Sequence, residues 1–270
     1  MKRYLLQVLA LLILGSATAQ QEKTDTTRIN IGDLKVMIVD GDSDTSETSS
    51  ETLSEDLEDI TAELTHWAGI DLGLNLLLDP KGNYEFEDEN EWLNLQHEHS
   101  FSVDINLAEF KIKLLKEYAG IVTGFGLGYS SYGFRDSVII SSNSDTTLAT
   151  YSSDIKFRVN KLRTTHLRVP LLLEFNTSED PKKTIHVAFG AVGGWRIGTI
   201  TRQRYDADGK DIRQKVRNDF NINTFEVDAA LRLGYRSFTM FVNYALTPLF
   251  KEGKGPEVYP LTVGLAITSW

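Results

Sequence analysis

Apolar residues alternate with small or polar residues along eight segments of the chain, from Trp67 to the C-terminus. The segment at residues 184–204 is the clearest example. One phase of it holds Ile185, Val187, Phe189, Ala191, Gly193, Trp195 and Ile197, and the other holds His186, Ala188, Gly190, Val192, Gly194 and Arg196. Because side chains change face at every residue of a β-strand, this period of two predicts strands. We predict them at residues 67–78, 99–115, 119–132, 164–175, 184–204, 220–235, 238–247 and 259–270.

Two predicted strands contain an irregularity. In the second strand the apolar phase changes between Leu107 and Phe110, and a β-bulge near Ala108 and Glu109 would reconcile the two halves. An amphipathic helix over residues 107–116 is the alternative, because a short apolar run fits both periods. In the fourth strand Pro170 has no backbone N–H to donate, which predicts a bulge or a local edge there.

The connections between the predicted strands alternate between long and short. Those after the first, third, fifth and seventh strands are long, and residues 134–162 have room for a hairpin of their own around Asn143 and Asp145. An even strand count, with short turns at one end and long loops at the other, is typical of bacterial outer-membrane barrels. The pattern predicts an all-β fold, an eight-stranded antiparallel up-and-down transmembrane β-barrel, with both termini in the periplasm.

Alternation alone does not distinguish a membrane barrel from a secreted, lipocalin-like barrel with the opposite facing. Glycine and alanine dominate the less apolar face of the third, fifth and eighth predicted strands, which suits the narrow lumen of an eight-stranded barrel. Aromatic residues near strand ends fit interfacial girdles, namely Trp67, Tyr132, Phe175, Tyr235, Phe238, Tyr244 and Tyr259. These features favour the membrane barrel.

The predicted lumen face also carries charges of both signs, including Asp71 and Asp104. Opposite charges in a narrow lumen can pair, whereas an unpaired buried charge is costly. We predict a lumen charge network of Arg168, Glu174, Arg196, Glu226, Asp228 and Arg232. A plug of salt bridges is the favoured interpretation, and a proton or ion path is the alternative.

The first 65 residues differ in composition from the rest. A charged start, an apolar core at residues 5–14 and Ala17-Thr18-Ala19 predict a signal peptide over residues 1–19. Residues 21–65 hold 13 acidic against three basic residues, in a chain whose net charge is −10. We predict a disordered acidic periplasmic tail at residues 20–65, in which the apolar patch at residues 29–39 could form a strand or dock on a partner. The barrel domain is predicted at residues 66–270.

Little in the sequence indicates chemistry. The chain has no cysteine, which excludes disulfides and thiol catalysis. His97-Glu98-His99 lacks a third ligand and fits a solvated loop. His166 and Ser153 are far apart in sequence and nothing orders them as a catalytic pair. We expect no enzyme activity, no cofactor and no metal, and the lack of a basic stripe argues against nucleic-acid binding.

Several motifs resemble the PorT-like outer-membrane β-barrel family of Bacteroidota. They are TTRINIG at residues 26–32, HWAGIDLGLN at residues 66–75, LRVPLLLEF at residues 167–175 and YALTPLF at residues 244–250. The resemblance covers most of residues 66–270 and implies an outer-membrane barrel. The named member of that family belongs to the type IX secretion and gliding apparatus. One departure is Trp270, which is out of phase with the last apolar run; it implies a bulge near Thr268 and Ser269 or a non-standard barrel-assembly signal.

Taken together, these features predict a non-enzymatic outer-membrane β-barrel with a structural or interaction role in the cell envelope. The alternatives are an accessory barrel of a type IX secretion or gliding machine, a small lipid-modifying barrel enzyme, and a secreted lipocalin-like carrier. The expected partners are outer-membrane lipid, the barrel-assembly machinery and a periplasmic or secretion-system protein.

Overall fold

The computed structural model describes residues 26–31, 34–39, 66–143, 145–152, 155–180, 182–207 and 209–268. The predicted signal peptide, most of the acidic tail, Ser153 and Trp270 lie outside the described residues. The chain divides into two compact units, Met1–Asp59 and Ile60–Trp270. Among the described residues, no helix has the length and apolar character needed to cross a bilayer.

The first unit contains a β-hairpin. Strand β1 (Thr26–Ile31) pairs antiparallel with β2 (Leu34–Val39), from Thr26 opposite Val39 to Ile31 opposite Leu34. The apolar patch at residues 29–39 therefore contributes strand structure. This agrees with the alternative in which the patch forms a strand.

The second unit is a closed ring of eight antiparallel strands. Its strands, in chain order, are β3 (Gly69–Leu78), β4 (Phe101–Leu115), β5 (Ala119–Gly133), β6 (Val138–Ser142), β7 (Thr147–Tyr151), β8 (Phe157–Asn176), β9 (Ile185–Ala207), β10 (Lys210–Arg217), β11 (Phe225–Tyr235), β12 (Phe238–Ala245) and β13 (Tyr259–Thr268). The ring runs β3-β4-β5-β8-β9-β11-β12-β13, and β13 closes it by pairing with β3. The predicted eight-stranded antiparallel barrel is confirmed.

The two ends of the barrel differ as predicted. Short turns at residues 116–118, 177–184 and 236–237 mark the short-turn end. Longer connections at residues 79–100, 134–156, 208–224 and 246–258 mark the long-loop end. The connection at 134–156 contains the β6–β7 hairpin, which confirms the hairpin predicted around Asn143 and Asp145. Strand β10 pairs with the part of β9 that lies at the long-loop end and so extends the sheet there.

The two irregular strands resolve differently. In β4 the pairing with β5 passes from Asn106 to Ala108, so Leu107 is the extra residue of a bulge and the helix alternative is wrong. At Pro170 the expected bulge is absent, because the register with both neighbouring strands is unchanged there. The local-edge alternative fits instead, because the pairs with β5 are interrupted beside Pro170, as expected for a residue that has no N–H.

The apolar phase faces outward and the polar phase faces the lumen. On β3, Leu72 and Leu74 are 53% and 61% exposed, whereas Asp71 and Asn75 are each 1% exposed. This facing is the reverse of a lipocalin-like carrier, so the membrane-barrel facing is confirmed. Trp67 and Tyr132 were wrongly assigned to the girdles, since both are buried. Trp67 precedes β3 and packs on a lumen arginine, and Tyr132 falls in the inward phase of β5.

Two apolar clusters fill the ends of the barrel. The cluster near the short-turn end consists of Trp67, Val122, Leu172, Ala188, Val192 and Ala230. The larger cluster, at the long-loop end, consists of Leu77, Phe86, Trp92, Leu93, Leu95, Tyr132, Phe134, Val138, Ile140, Leu162, Phe220, Ile222, Leu249, Phe250 and Val258. The charged residues of the lumen lie on the same strands.

Candidate functional site

The lumen contains a three-residue ion-pair cluster centred on Arg168. From β8, its Nη1 donates to Oδ2 of Asp104 on β4 at 2.7 Å, and its Nη2 donates to Asp228 on β11. The residues opposite Arg168 on both neighbouring strands are glycines. A Cβ at Gly128 would lie 2.6 Å from Cδ of Arg168, so a glycine there leaves room for the arginine side chain. The glycine-rich lumen face thus accommodates side chains that cross the barrel.

A second pair forms between Arg232 on β11 and Asp71 on β3. The guanidinium donates to both carboxylate oxygens, at 2.7 and 3.1 Å, which is the bidentate geometry that arginine favours. Its carbon lies 5.1 Å from the ring centroid of Trp67 and 5.6 Å from that of Phe241. Aromatic faces attract cations, so the rings and the carboxylate together hold this buried charge.

A third cluster lies near the short-turn end, around Glu174. Lys111 Nζ lies 3.1 Å from its carboxylate, and His66 Nδ1 lies 3.3 Å from it. The imidazole of His66 stacks on that of His186 with ring centroids 3.5 Å apart. His186 Nε2 in turn lies 2.8 Å from Oγ1 of Thr239 on β12. This chain of contacts joins the segment before β3 to β4, β8, β9 and β12.

The remaining predicted lumen charges are Glu226 and Arg196. Glu226 Oε2 lies 3.5 Å from Nε2 of His166, itself buried. Arg196 is the exception to the predicted network. Its guanidinium donates to the carbonyl oxygens of Asn223 and Ile222 and to Oγ1 of Thr199, and among the described residues no carboxylate lies within 4.0 Å of it. Arg196 therefore ties the barrel wall to the connection before β11.

Sequence reasoning missed some members of these clusters. Lys111 enters the lumen because the bulge at Leu107 reverses the phase of β4, so the predicted bulge was itself the available signal. His66 and Trp67 lie before the first strand, where no alternation applies. The backbone N–H of Trp67 donates to Glu109 at 2.7 Å, which fixes the segment that carries them.

The long connections fold into one structure, which we call the cap (residues 79–100, 134–156, 208–224 and 246–258). All four contribute to the large apolar cluster. The ring of Trp92 lies 5.7 Å from that of Phe134 and 6.3 Å from that of Phe250. Buried polar groups also join connections, since Oγ1 of Thr147 donates to the carbonyl of Phe220 at 2.9 Å. The cap covers the lumen at the long-loop end, and sequence reasoning did not predict it.

The arrangement is that of a packed interior. Buried Asp71, Asp104, Glu174, Arg168 and Arg232 each contact an opposite charge, and an unpartnered charge at such depth would cost about 3–5 kcal/mol. No group of three or more His, Cys, Asp or Glu residues in the described part of the chain is placed to hold a metal ion. The geometry supports structural cohesion across the lumen.

Comparison with known proteins agrees with this architecture. Residues 66–251, more than half of the chain, match the family model described as the outer membrane protein beta-barrel domain. No curated protein and no solved structure matches the chain. The closed eight-stranded ring, its apolar outer belt and this match show that the chain belongs to the outer membrane protein beta-barrel domain family.

Proposed function

We propose that this outer-membrane barrel is closed, non-conducting and non-enzymatic, and that it has a structural or interaction role in the cell envelope. The single observation that carries the proposal is a lumen crossed by ion pairs and covered by a folded cap. Eight strands leave only enough interior for side chains, so paired charges and the cap fill the space that a channel would need. The favoured plug interpretation of the charges follows from this.

The same features support the absence of catalysis. His166, which we considered for a lipid-modifying site, is 5% exposed and faces Glu226 in the lumen. A catalytic base must reach its substrate, and this imidazole is shielded from the membrane by the barrel wall.

The barrel is oriented, in this proposal, with the cap at the cell exterior. Outer-membrane barrels carry longer loops on that side and short turns in the periplasm. Both termini then lie in the periplasm, because β3 begins at the short-turn end and β13 ends there.

Conductance tests the closed state. The refolded full chain is inserted into planar phosphatidylcholine bilayers, and its folding is checked by a compact unheated band on a gel. We expect no discrete current steps. Reproducible single-channel steps from the wild type would overturn the proposal.

A second experiment addresses the enzyme alternative. The lipid composition of cells that lack the protein is expected to equal that of wild-type cells, and a shift in acyl-chain distribution would contradict the absence of catalysis.

A finer role concerns a partner in the periplasm. The PorT-like resemblance supports an accessory barrel of a type IX secretion or gliding machine in Bacteroidota, held through residues 20–65. The β1–β2 hairpin in that segment is a two-stranded sheet, and strands at a sheet edge can pair with a partner strand. Cross-linking and purification of the full chain should recover a periplasmic or secretion-system protein that is lost when residues 20–65 are deleted. Equal recovery from both forms would contradict this role.

A further inference from the structure

A row of three cations lies on the outer wall of the barrel, near the long-loop end. Lys161 on β8 is directly opposite Arg202 on β9, and Arg202 is directly opposite Lys215 on β10. Directly opposite side chains on antiparallel strands share one face, with Cβ atoms about 5 Å apart. Like charges in this position destabilise a sheet. The row therefore has a cost in the isolated protein that an anion would remove.

The surrounding charges do not neutralise the row. Ile200 on β9 is directly opposite Arg163 on β8 and directly opposite Arg217 on β10. These two arginines extend the positive surface by a second row. The acids of the same sheet extension are engaged elsewhere, Asp206 with Arg158 and Asp211 with Arg204 and Arg213. In the described part of the chain, no carboxylate lies within 4.0 Å of a basic group of Lys161, Arg163, Arg202, Lys215 or Arg217. This concentration of positive charge contrasts with the net negative charge of the whole chain.

Three of these cations, Arg163, Arg202 and Lys215, line a cleft on the outside of the barrel. Its volume is about 330 Å³, and Tyr129, Arg163, Arg202 and Lys215 are among its lining residues. Such a volume accommodates a small polar headgroup rather than a large ligand. The cleft is thus a concave, cationic site on the wall and is separate from the lumen.

The cleft lies at the edge of the apolar belt that faces the long-loop end. Along β8, the outward residues Leu171 and Leu167 are exposed and apolar, and Arg163 follows four residues above Leu167, about 13 Å along the strand. The Arg163 guanidinium lies 5.8 Å from the ring centroid of Tyr129, and Lys161 Nζ lies 5.5 Å from that of Phe101. Aromatic and basic residues at this level contact the headgroup region of a membrane.

We propose that this cleft binds the phosphate groups of a phosphorylated glycolipid in the leaflet at the long-loop end. Arginine forks match phosphate oxygens, and the acyl chains of such a lipid would lie against the apolar belt directly below. The lipid phosphates would neutralise the row of like charges. The identity of the leaflet rests on the proposed orientation of the barrel, whereas the binding site itself does not.

The test uses the full chain in phosphatidylcholine nanodiscs, with bound lipid counted by native mass spectrometry. Diphosphoryl lipid A, the same lipid A without phosphates, phosphatidylglycerol and inorganic phosphate are titrated separately. The charge-removing variant carries Arg163→Gln, Arg202→Gln and Lys215→Gln. A matched control removes three exposed lysines elsewhere, Lys81→Gln, Lys182→Gln and Lys183→Gln. A third variant keeps the charge, with Arg163→Lys, Arg202→Lys and Lys215→Arg. Each must show the compact unheated band of the folded barrel.

We expect diphosphoryl lipid A to bind the wild type and the control variant equally. Binding should fall on the order of a hundredfold in the charge-removing variant, since each basic residue near an anionic surface contributes about fivefold. The charge-keeping variant should retain most binding, and added salt should weaken it. Equal binding of the dephosphorylated lipid, or no loss in the charge-removing variant, would overturn the proposal. Preference for phosphatidylglycerol or for inorganic phosphate would reject a glycolipid as the occupant. A conducting wild type would reject the closed-barrel proposal without affecting these results.

Discussion

The lumen and the outer cleft both place arginine and lysine on neighbouring strands, but with opposite surroundings. In the lumen, the Arg168 and Arg232 guanidinium groups each face a carboxylate. On the wall, Arg202 faces cations on both sides. The alternating sequence pattern is the same in the two regions. The difference shows that strand phase determines where a charge lies, whereas the residues across the sheet or lumen determine whether it is neutralised.

This difference separates internal from external roles. A charge sealed in the lumen must be neutralised by the chain itself, because no solvent or ligand can reach it cheaply. A charge at the membrane boundary can be left for an external anion, at a modest cost that water and salt reduce. Paired charges accordingly serve the cohesion of the barrel, whereas Arg202 and Lys215 of the unpaired row are exposed and available for binding.

The largest effect is expected from breaking a lumen pair. Arg232→Met leaves the buried Asp71 carboxylate without its bidentate partner, so the free energy of unfolding should fall by about 3–5 kcal/mol. Denaturant unfolding of the refolded barrel, followed by tryptophan fluorescence, measures the change. Adding Asp71→Leu should recover most of the loss, because a paired removal leaves no buried charge. A single variant as stable as the wild type would show that the pair does not hold the lumen together.

A smaller, local effect is expected in the cap. Leu93 is 1% exposed, and Leu93→Ala should lower the free energy of cap unfolding by about 2–5 kcal/mol through lost contacts and a cavity. Limited proteolysis and hydrogen exchange should show faster opening of the cap, while the unheated gel band stays compact. Tyr84→Ala, in the same connection but exposed, is the matched control and should change little. Equal protease resistance of the two variants would contradict a cohesive cap.

Local patterns predicted the barrel, whereas non-local contacts account for what was missed. Alternation over a few residues sufficed for the eight strands, their facing and the bulge at Leu107, because strand phase is a property of adjacent residues. The cap depends on side chains such as Trp92 and Phe250, which lie far apart in sequence within polar connections that carry no periodic signal.

For the charge network, the sequence likewise predicted the facing of the side chains but not their partners. Arg168, Glu226, Asp228 and Arg232 lie in the inward phase of their strands. Their partners required strand order and register, which alternation does not supply. The hydrogen bonds from Arg196 to backbone carbonyls depend on the path of the connection before β11, which the sequence pattern does not give. Phase thus identified which residues face inward, and only the three-dimensional structure identified which of them meet.

Removing one cation from the outer row should have a small effect of the opposite sign. In phosphatidylcholine, Arg202→Gln should raise the free energy of unfolding by about 0.2–1 kcal/mol, because it removes like-charge repulsion with Lys161 and Lys215. Arg204→Gln is the matched control on the same strand, since Arg204 is paired with Asp211 at 2.7 Å and its removal should not stabilise. Equal destabilisation by both variants would mean that the row carries no repulsion.

The smallest effect concerns an exposed ion pair of the cap. Lys251 Nζ lies 2.8 Å from Asp219, and this hydrogen bond, with a further one from the backbone N–H of Asn221, lowers the pKa of Asp219 below its ordinary value of 3.8. Since the folded-state pKa is the lower one, the pair stabilises the cap above the ordinary value, and the stabilisation is lost as the pH falls through the folded-state pKa. Both side chains are partly exposed, so Asp219→Asn should cost less than about 1 kcal/mol at neutral pH. Hydrogen exchange of the cap should therefore separate Asp219→Asn from the wild type at neutral pH and converge in strongly acidic buffer. A difference in exchange between the two forms that grows on acidification would contradict the predicted direction of the pH dependence. A loss of stability as large as that of Arg232→Met would show that exposed and buried ion pairs contribute equally.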